Sequence, residues 1–270
     1  METVTSLNDI DKLYDNQIIG TPKLINSTFE FKGKNNIVYC EDNVELLSSH
    51  ISFSGDNSLI YFSSTQNSQY PLNLIISNGS TVFFGKDCAM IHPLNINVQE
   101  NQNVIIGDDC SFGSGVNIRT SDAHPIYDSK NKQRVNFPKS VFIGDHVWLG
   151  HLAYISKGVR VGSGSIIEND AFVQSNATIP SNSLNIGNPS KIVKNNVFFL
   201  KEFVGLFRAE ETLNSKYYKS NVFIYDFAEK ETLNMDKIDK ILKDLTISNR
   251  LDFIQKLFVQ NKRKNRFTIK

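Results

Sequence analysis

The sequence predicts a mostly β chain wound as a solenoid of short strands, and three observations carry that expectation. Aliphatic residues return at every sixth position through the middle of the chain. The residues before that stretch repeat with a shift of 22. Helical spacing enters only after Lys194. Internal repeats of this kind decide architecture before any local propensity does.

Residues 1–103 are β-like but irregular. Ser27-Thr28-Phe29-Glu30-Phe31-Lys32-Gly33 returns 22 residues later as Ser49-His50-Ile51-Ser52-Phe53-Ser54-Gly55, and Val82-Phe83-Phe84-Gly85 returns as Val104-Ile105-Ile106-Gly107. Longer coils of the same solenoid, with an extra turn residue or two at each corner, account for that shift. A separate small β-domain is the alternative. The repeats run into Gly107 without a linker, which favours coils.

Residues 104–194 carry the regular repeat. Hexads begin at Ile106, Phe112, Ile118, Ile143, Leu149, Ile155, Val161, Ile167, Val173 and Ile179, ten apolar first positions in ten. Fifth positions are mostly small, as at Cys110, Ala153, Ser165, Ala171 and Ala177. A helix would space apolar residues by 3.6 and a half-buried strand would alternate them. A period of six with one large and one small inward residue describes short strands joined by tight corners, where Gly, Asn, Asp or Ser takes the turn conformation.

The register breaks between Ile118 and Ile143, 25 residues where three hexads would need 18, so about seven residues are expected to bulge out. The segment 119–142 holds Asp122, His124, Tyr127, Asp128 and Arg134. A loop of that kind on a rigid scaffold is a usual place for function. His124 has the chemistry of a general base near neutral pH.

Residues 195–270 turn helical. Ile238, Ile241, Leu242 and Leu245 follow a cap at Asn234, and Leu251, Ile254, Leu257 and Phe258 follow Ser248. These helices are expected to close the open end of the solenoid, which otherwise presents strand edges. Lys262, Arg263, Lys264, Arg266 and Lys270 make the last stretch basic, and it reads as a solvated tail or as a contact with an anionic polymer or membrane surface.

Composition narrows the function classes. The chain has 270 residues with 29 basic and 28 acidic side chains, a net charge of +1, so no chain-wide nucleic-acid or membrane-surface role is indicated. No stretch approaches the length of a spanning helix, and Met1–Ile10 lacks the basic start and apolar run of a secretory signal. Cys40, Cys88 and Cys110 form neither a disulfide framework nor a CxxC pair, so a reducing cytoplasm is the expected compartment.

Three motifs carry a resemblance. Asn117-Ile118-Arg119-Thr120-Ser121-Asp122-Ala123-His124-Pro125, Ile143-Gly144-Asp145-His146-Val147-Trp148-Leu149-Gly150 and Gly187-Asn188-Pro189-Ser190-Lys191 occur in that order. Together they make Ile106–Lys191 similar to the hexapeptide-repeat acyltransferases, in particular bacterial polysaccharide and sugar O-acetyltransferases of the polysialic acid type. The resemblance implies a left-handed parallel β-helix, a homotrimer and acetyl-CoA as acyl donor. It implies a capsular or other surface polysaccharide as acceptor. It places His124 at the family's catalytic position and Trp148 beside the catalytic histidine of a neighbouring subunit. Trp148, Gly150, Lys157 and Lys191 are the expected donor-binding residues, Gly150 through close backbone approach and the lysines through phosphate. Asp122, Tyr127 and His146 are expected on the acceptor side. Asp122, Asp108 or Asp145 would orient His124, and the sequence does not choose among them.

Other readings remain open at this level. One is N-acetylation of an amino-sugar nucleotide. Another is a non-enzymatic polysaccharide-binding solenoid. A third takes zinc on His124, His146 and His151, as in hexapeptide-repeat carbonic anhydrases. Ser156 stands where those enzymes need a histidine, so no metal is expected.

Overall fold

A computed structural model of the chain describes residues 1–66 and 69–270. From residue 17 onward the backbone winds into eight coils of a three-faced parallel solenoid. The first face carries Thr28–Phe31, His50–Phe53, Leu72–Ile76, Leu94–Val98, Asn117–Arg119, Tyr154–Ile155 and Phe172–Val173 in parallel register. The second runs Gln17–Ile19, Ile37–Cys40, Leu59–Phe62, Thr81–Phe84, Asn103–Ile106, Val141–Ile143, Arg160–Val161 and Thr178–Ile179. The third begins with Lys23–Ile25 beside Glu45–Leu47. It resumes as Ala89–Met90, Ser111–Phe112, Trp148–Leu149, Ile166–Ile167 and Ser183–Ile186.

All ten hexad first positions lie in one continuous buried core, together with the small fifth positions Cys110, Val116, Val147, Ala153, Val159 and Ala171. Truncating one of these large residues, Ile155 to Ala for example, removes about 2–5 kcal/mol of stability by transfer and cavity terms. Coil stacking explains the glycines that follow first positions. A Cβ at Gly107 would lie 2.5 Å from Asp145 Oδ1 and 2.6 Å from the Gly144 carbonyl carbon of the next coil.

The solenoid crosses residue 103 without interruption, because Thr81–Phe84 pairs with Asn103–Ile106 as it does with Leu59–Phe62. Residues 17–103 are therefore regular coils and not a separate unit. What changes is coil length: Leu59, Thr81 and Asn103 stack at intervals of 22, whereas Ile143, Val161 and Ile179 stack at intervals of 18. Both ends are closed by antiparallel strands, Glu2–Val4 on Thr28–Phe31 and Lys191–Asn195 on Ser183–Ile186. That covers one strand edge at each end, where helices were expected to do so.

The C-terminal helices lie elsewhere. Helices α1 (Ala209–Asn214), α2 (Met235–Asp244) and α3 (Ile247–Ile254) occupy only part of residues 195–270. Asn234 caps α2, accepting from the Lys237 amide, as its sequence predicts. The cap of α3 is Thr246 and not Ser248. Both helices pack flat on the second face: Met235, Ile238, Leu242, Ile247, Ile254, Phe258 and Phe267 cover Ile37, Leu59, Tyr61, Phe83, Ile105 and Phe142. They clad a side of the solenoid, which the outward aromatics of that face require, and do not plug its end. Arg250 of α3 is buried and donates from Nη1 to the carbonyl oxygens of Asn57 and Gly79 at successive coil corners.

The C-terminus is docked on the solenoid and not frayed, although Lys262, Arg263, Lys264 and Lys270 stay exposed. Arg266 is 2% exposed and meets Asp108 Oδ2 and Asp145 Oδ1, each at 2.8 Å. Its neighbour Phe267 is fully buried. Burial is the largest influence on the Asp145 carboxyl and pushes it up despite the guanidinium beside it.

Candidate functional site

The largest departure from regular winding is the segment between Arg119, on the first face, and Val141, on the second. Asn117 pairs with Tyr154, 37 residues on, whereas Tyr154 pairs with Phe172 after 18, so nineteen residues are extra. The seven-residue bulge expected from sequence is too small because Ile143 stacks on Ile106 and not on Ile118. Ile118 stacks on Ile155.

The excursion is a braced arm. The Val135 amide donates to the Ile126 carbonyl at 2.9 Å and the Asp128 amide to the Gln133 carbonyl at 2.9 Å, forming a narrow hairpin around a turn capped by Asp128. Asn136 ties its two strands together. Its Oδ1 accepts from the Ile126 amide at 2.7 Å, and its Nδ2 donates to Asp122 Oδ2 at 2.9 Å and to the His124 carbonyl at 2.8 Å. The base of the arm is fixed by Arg134, which grips both oxygens of Glu100 at 2.7 and 3.0 Å. A hollow of about 350 Å³ beneath it is lined by Ser77, Asn78, Gln99, Glu100, Ser121 and Arg134.

His124 is exposed at a bend at the base of this arm, and among the described residues its ring has no hydrogen-bond partner. None of the three carboxylates weighed for orienting it does so. Asp108 and Asp145 face Arg266. Asp122 accepts from Asn136 and pairs with Lys157. Burial would raise the Asp122 carboxyl, but hydrogen bonds from Lys157 and Asn136 outweigh it and hold it below the usual range. Asp122 is thus an anchor of the arm through Oδ2. Lys157, almost fully buried beneath the arm, is committed to Asp122 and is not presented to a phosphate. Tyr127 is 57% exposed on the arm, opposite Arg134 in a backbone bridge.

Trp148 sits half-buried on the third face between Ser111 and Ile166. His124 and Trp148 therefore belong to different sides of one prism. Gly150 follows, but its missing side chain serves the next coil: a Cβ there would lie 2.6 Å from the Asn169 amide nitrogen. Coil stacking by itself requires that glycine. Lys191 is exposed at the start of the closing strand and makes no ion pair among the described residues.

His146 overturns its expected place in the acceptor cleft. It is 1% exposed, with rings of Phe199 and Phe223 stacked on either side at 4.2 and 3.8 Å. His151 is exposed and accepts from the Ser114 amide through Nδ1. The two histidines thus have separate partners, and no cluster of three or more metal-ligating side chains forms among the described residues.

Asn136, Glu100 and Phe199 were not evident as site residues from sequence. Asn136 acts on backbone ten to twelve positions away, a relation no local motif encodes.

No protein-family model matches the chain. Over 86 residues it is 36% identical to the polysialic acid O-acetyltransferase of Escherichia coli O1:K1 / APEC, covering 32% of this chain and 27% of that protein. Over 44 residues it is 52% identical to the polysialic acid O-acetyltransferase of Neisseria meningitidis, covering 16% and 20%. The matched stretches thus span about a quarter or less of those curated relatives. Among solved structures, that of the polySia specific acetyltransferase NeuO superposes with a TM-score of 0.61 at 32% identity, over 70% of this chain and 88% of that one. The chain belongs to the hexapeptide-repeat O-acetyltransferase family. A second member, the polysialic acid O-acetyltransferase OatWY, superposes with a TM-score of 0.55 at 26% identity over 76% of this chain and all of that one. Family membership thus extends beyond the hexads, because both superpositions cover more than the 86 residues matched in sequence. Among the described residues of this family member, no helix is long and apolar enough to cross a membrane.

Proposed function

We propose that this family member transfers an acetyl group from acetyl-CoA to a hydroxyl of a saccharide, within a bacterial capsular or other surface polysaccharide. One observation carries the reading: an exposed His124 ring, unpartnered among the described residues, on an arm whose backbone is fixed at His124 itself by Asn136. A base held in place but left free is what deprotonation of an incoming hydroxyl requires. The relatives named for O-acetylation of polysialic acid support the acceptor class.

In the proposed reaction His124 takes the hydroxyl proton as the oxygen attacks the thioester carbonyl. The carbon–sulfur bond breaks, and His124 returns the proton to the departing sulfur. Trp148 supplies a flat wall and one N–H donor toward the donor. Lys191, exposed and without an ion pair among the described residues, offers its ammonium to the donor's phosphates. Tyr127, exposed on the arm, is placed to meet the acceptor.

His124 and Trp148 lie on different sides of one chain, so the reading requires a closed homotrimer in which the arm of one copy reaches the third face of the next. Apolar side chains on the arm support such a contact: Ile126, Val135 and Phe137 are 53%, 61% and 61% exposed. Three buried free thiols support a reducing compartment, the cytoplasm in this reading.

The test is incubation with labelled acetyl-CoA and purified sialic-acid polymer, followed by mass spectrometry of the polymer. Ester-linked acetyl groups are expected. Amide-linked acetyl on an amino-sugar nucleotide, with no ester, would overturn the reading.

A further inference from the structure

A strap runs back along the corner between the second and third faces. That corner is a column of left-handed residues: Asp87, Asp109, His146, Gly164 and Asn182, with φ between 53° and 76°. Gly, Asn and Asp tolerate this conformation, and histidine is enriched there with Asn and Asp. The strap climbs this column. Asn182 exchanges bonds with the backbone of Val197, at 3.0 Å each way. Two rungs further, past Gly164, Phe199 lies on His146. Lys201 then reaches Asp109 Oδ1 at 2.6 Å and the Asp87 carbonyl at 2.8 Å.

His146 is the tightest of these grips. Its Nδ1 lies 2.6 Å from Asp109 Oδ2 and its Nε2 lies 2.9 Å from the Phe199 carbonyl oxygen. The ring thus bridges a carboxylate of one coil and a carbonyl of the strap. Burial would raise the Asp109 carboxyl, but the bonds from His146 and Lys201 outweigh it and hold it ionised below its usual range. Phe199 turns its other side to Trp148, ring centroids 5.7 Å apart. The order Phe223, His146, Phe199, Trp148 is thus one continuous aromatic series.

We propose that His146 is a positioning residue for Trp148: by clamping the backbone and ring of Phe199, it sets the wall against which Trp148 is oriented toward the acyl donor. The kinetic part rests on the transferase reading; the geometric part does not. A side chain touching neither substrate nor donor would then govern how the donor is seated. Two features make the clamp specific. A ring with nitrogens on opposed edges links Asp109 to the Phe199 carbonyl, and the same flat ring fills the gap between Phe199 and Phe223.

Trp148 is the chain's single tryptophan, so its fluorescence reports this site alone. Two variants separate clamp from fold. His146→Asn keeps a residue at ease in the left-handed corner. Phe199→Leu keeps apolar bulk but removes the ring facing Trp148. Both are expected to shift Trp148 emission to the red and to raise its quenching by iodide about twofold, with cooperative melting retained. Both are expected to raise the KM for acetyl-CoA roughly tenfold with kcat changed far less, the pattern of weakened donor binding. Parent-like emission and quenching in His146→Asn would overturn the proposal. So would shifted emission with an unchanged KM. A parent protein without any transferase activity overturns the proposed function and leaves emission to decide the clamp: a shift upholds it, no shift overturns it. If His146→Asn fails to fold, Phe199→Leu and Asp109→Asn decide by the same readings.

Discussion

Asn136 donates from its side-chain nitrogen to the carbonyl oxygen of His124 at 2.8 Å, and its oxygen accepts from the Ile126 amide at 2.7 Å. The amide thereby fixes the backbone on both sides of Pro125 while leaving the histidine ring free. Asn136→Ala is expected to lower kcat by roughly 10²-fold through misplacement of the base. Loss of amide hydrogen-exchange protection confined to residues 126–135 is the accompanying signature. Parent-like turnover in this variant would show that the arm holds its shape by other means.

Asp122 is depressed below the ordinary carboxylate range by Lys157 and Asn136, against the opposing effect of burial. A depressed carboxyl contributes stability that is full above its unfolded value, about 3.9, and is lost as pH falls through the folded value. The arm is therefore expected to stay ordered down to about pH 4 and to loosen below it. Lys157→Met removes the cation, so loosening is expected to begin at a higher pH than in the parent. Hydrogen exchange of residues 120–140 across pH 3–6 checks this. Identical profiles for the two proteins would contradict it.

Arg266 joins the C-terminus to the solenoid through Asp108 and Asp145 from a site 2% exposed. Arg266→Met leaves Asp145 buried without its partner, which typically costs about 3–5 kcal/mol. Urea unfolding is expected to show that loss. A change below about 1 kcal/mol would mean that solvent reaches Asp145 when the guanidinium is gone.

Cys40, Cys88 and Cys110 are buried, and burial pushes the Cys40 and Cys110 thiols up, away from the reactive thiolate. A thiol reagent is expected to find no fast-reacting cysteine in the native protein and three after denaturation. A stoichiometric native reaction would place one of these side chains outside the core.

The winding was legible because burial of one apolar residue per strand leaves a period that survives in sequence; Ile106, Ile143 and Val161 are stacked by it directly. The arm that carries His124 was legible as well, since the interruption of that period marks it. The partners of His146 and Lys157 were not. An exposed-looking hexad position says nothing of a strap 53 residues downstream, and a lysine's ion pair 35 residues upstream has no periodic signature. The stacking role of Gly150 was hidden for a related reason: glycine opens space equally for a ligand or for the next coil, and the closeness of Asn169 appears only in the fold.

The most direct test compares parent and His124→Ala proteins for ester-linked acetyl transfer from labelled acetyl-CoA to sialic-acid polymer. The parent is expected to acetylate the polymer, and the variant to fold normally with turnover lower by roughly 10²–10⁴-fold, the range for a lost general base. Turnover in His124→Ala within a few-fold of the parent would contradict the assignment of His124 as the base.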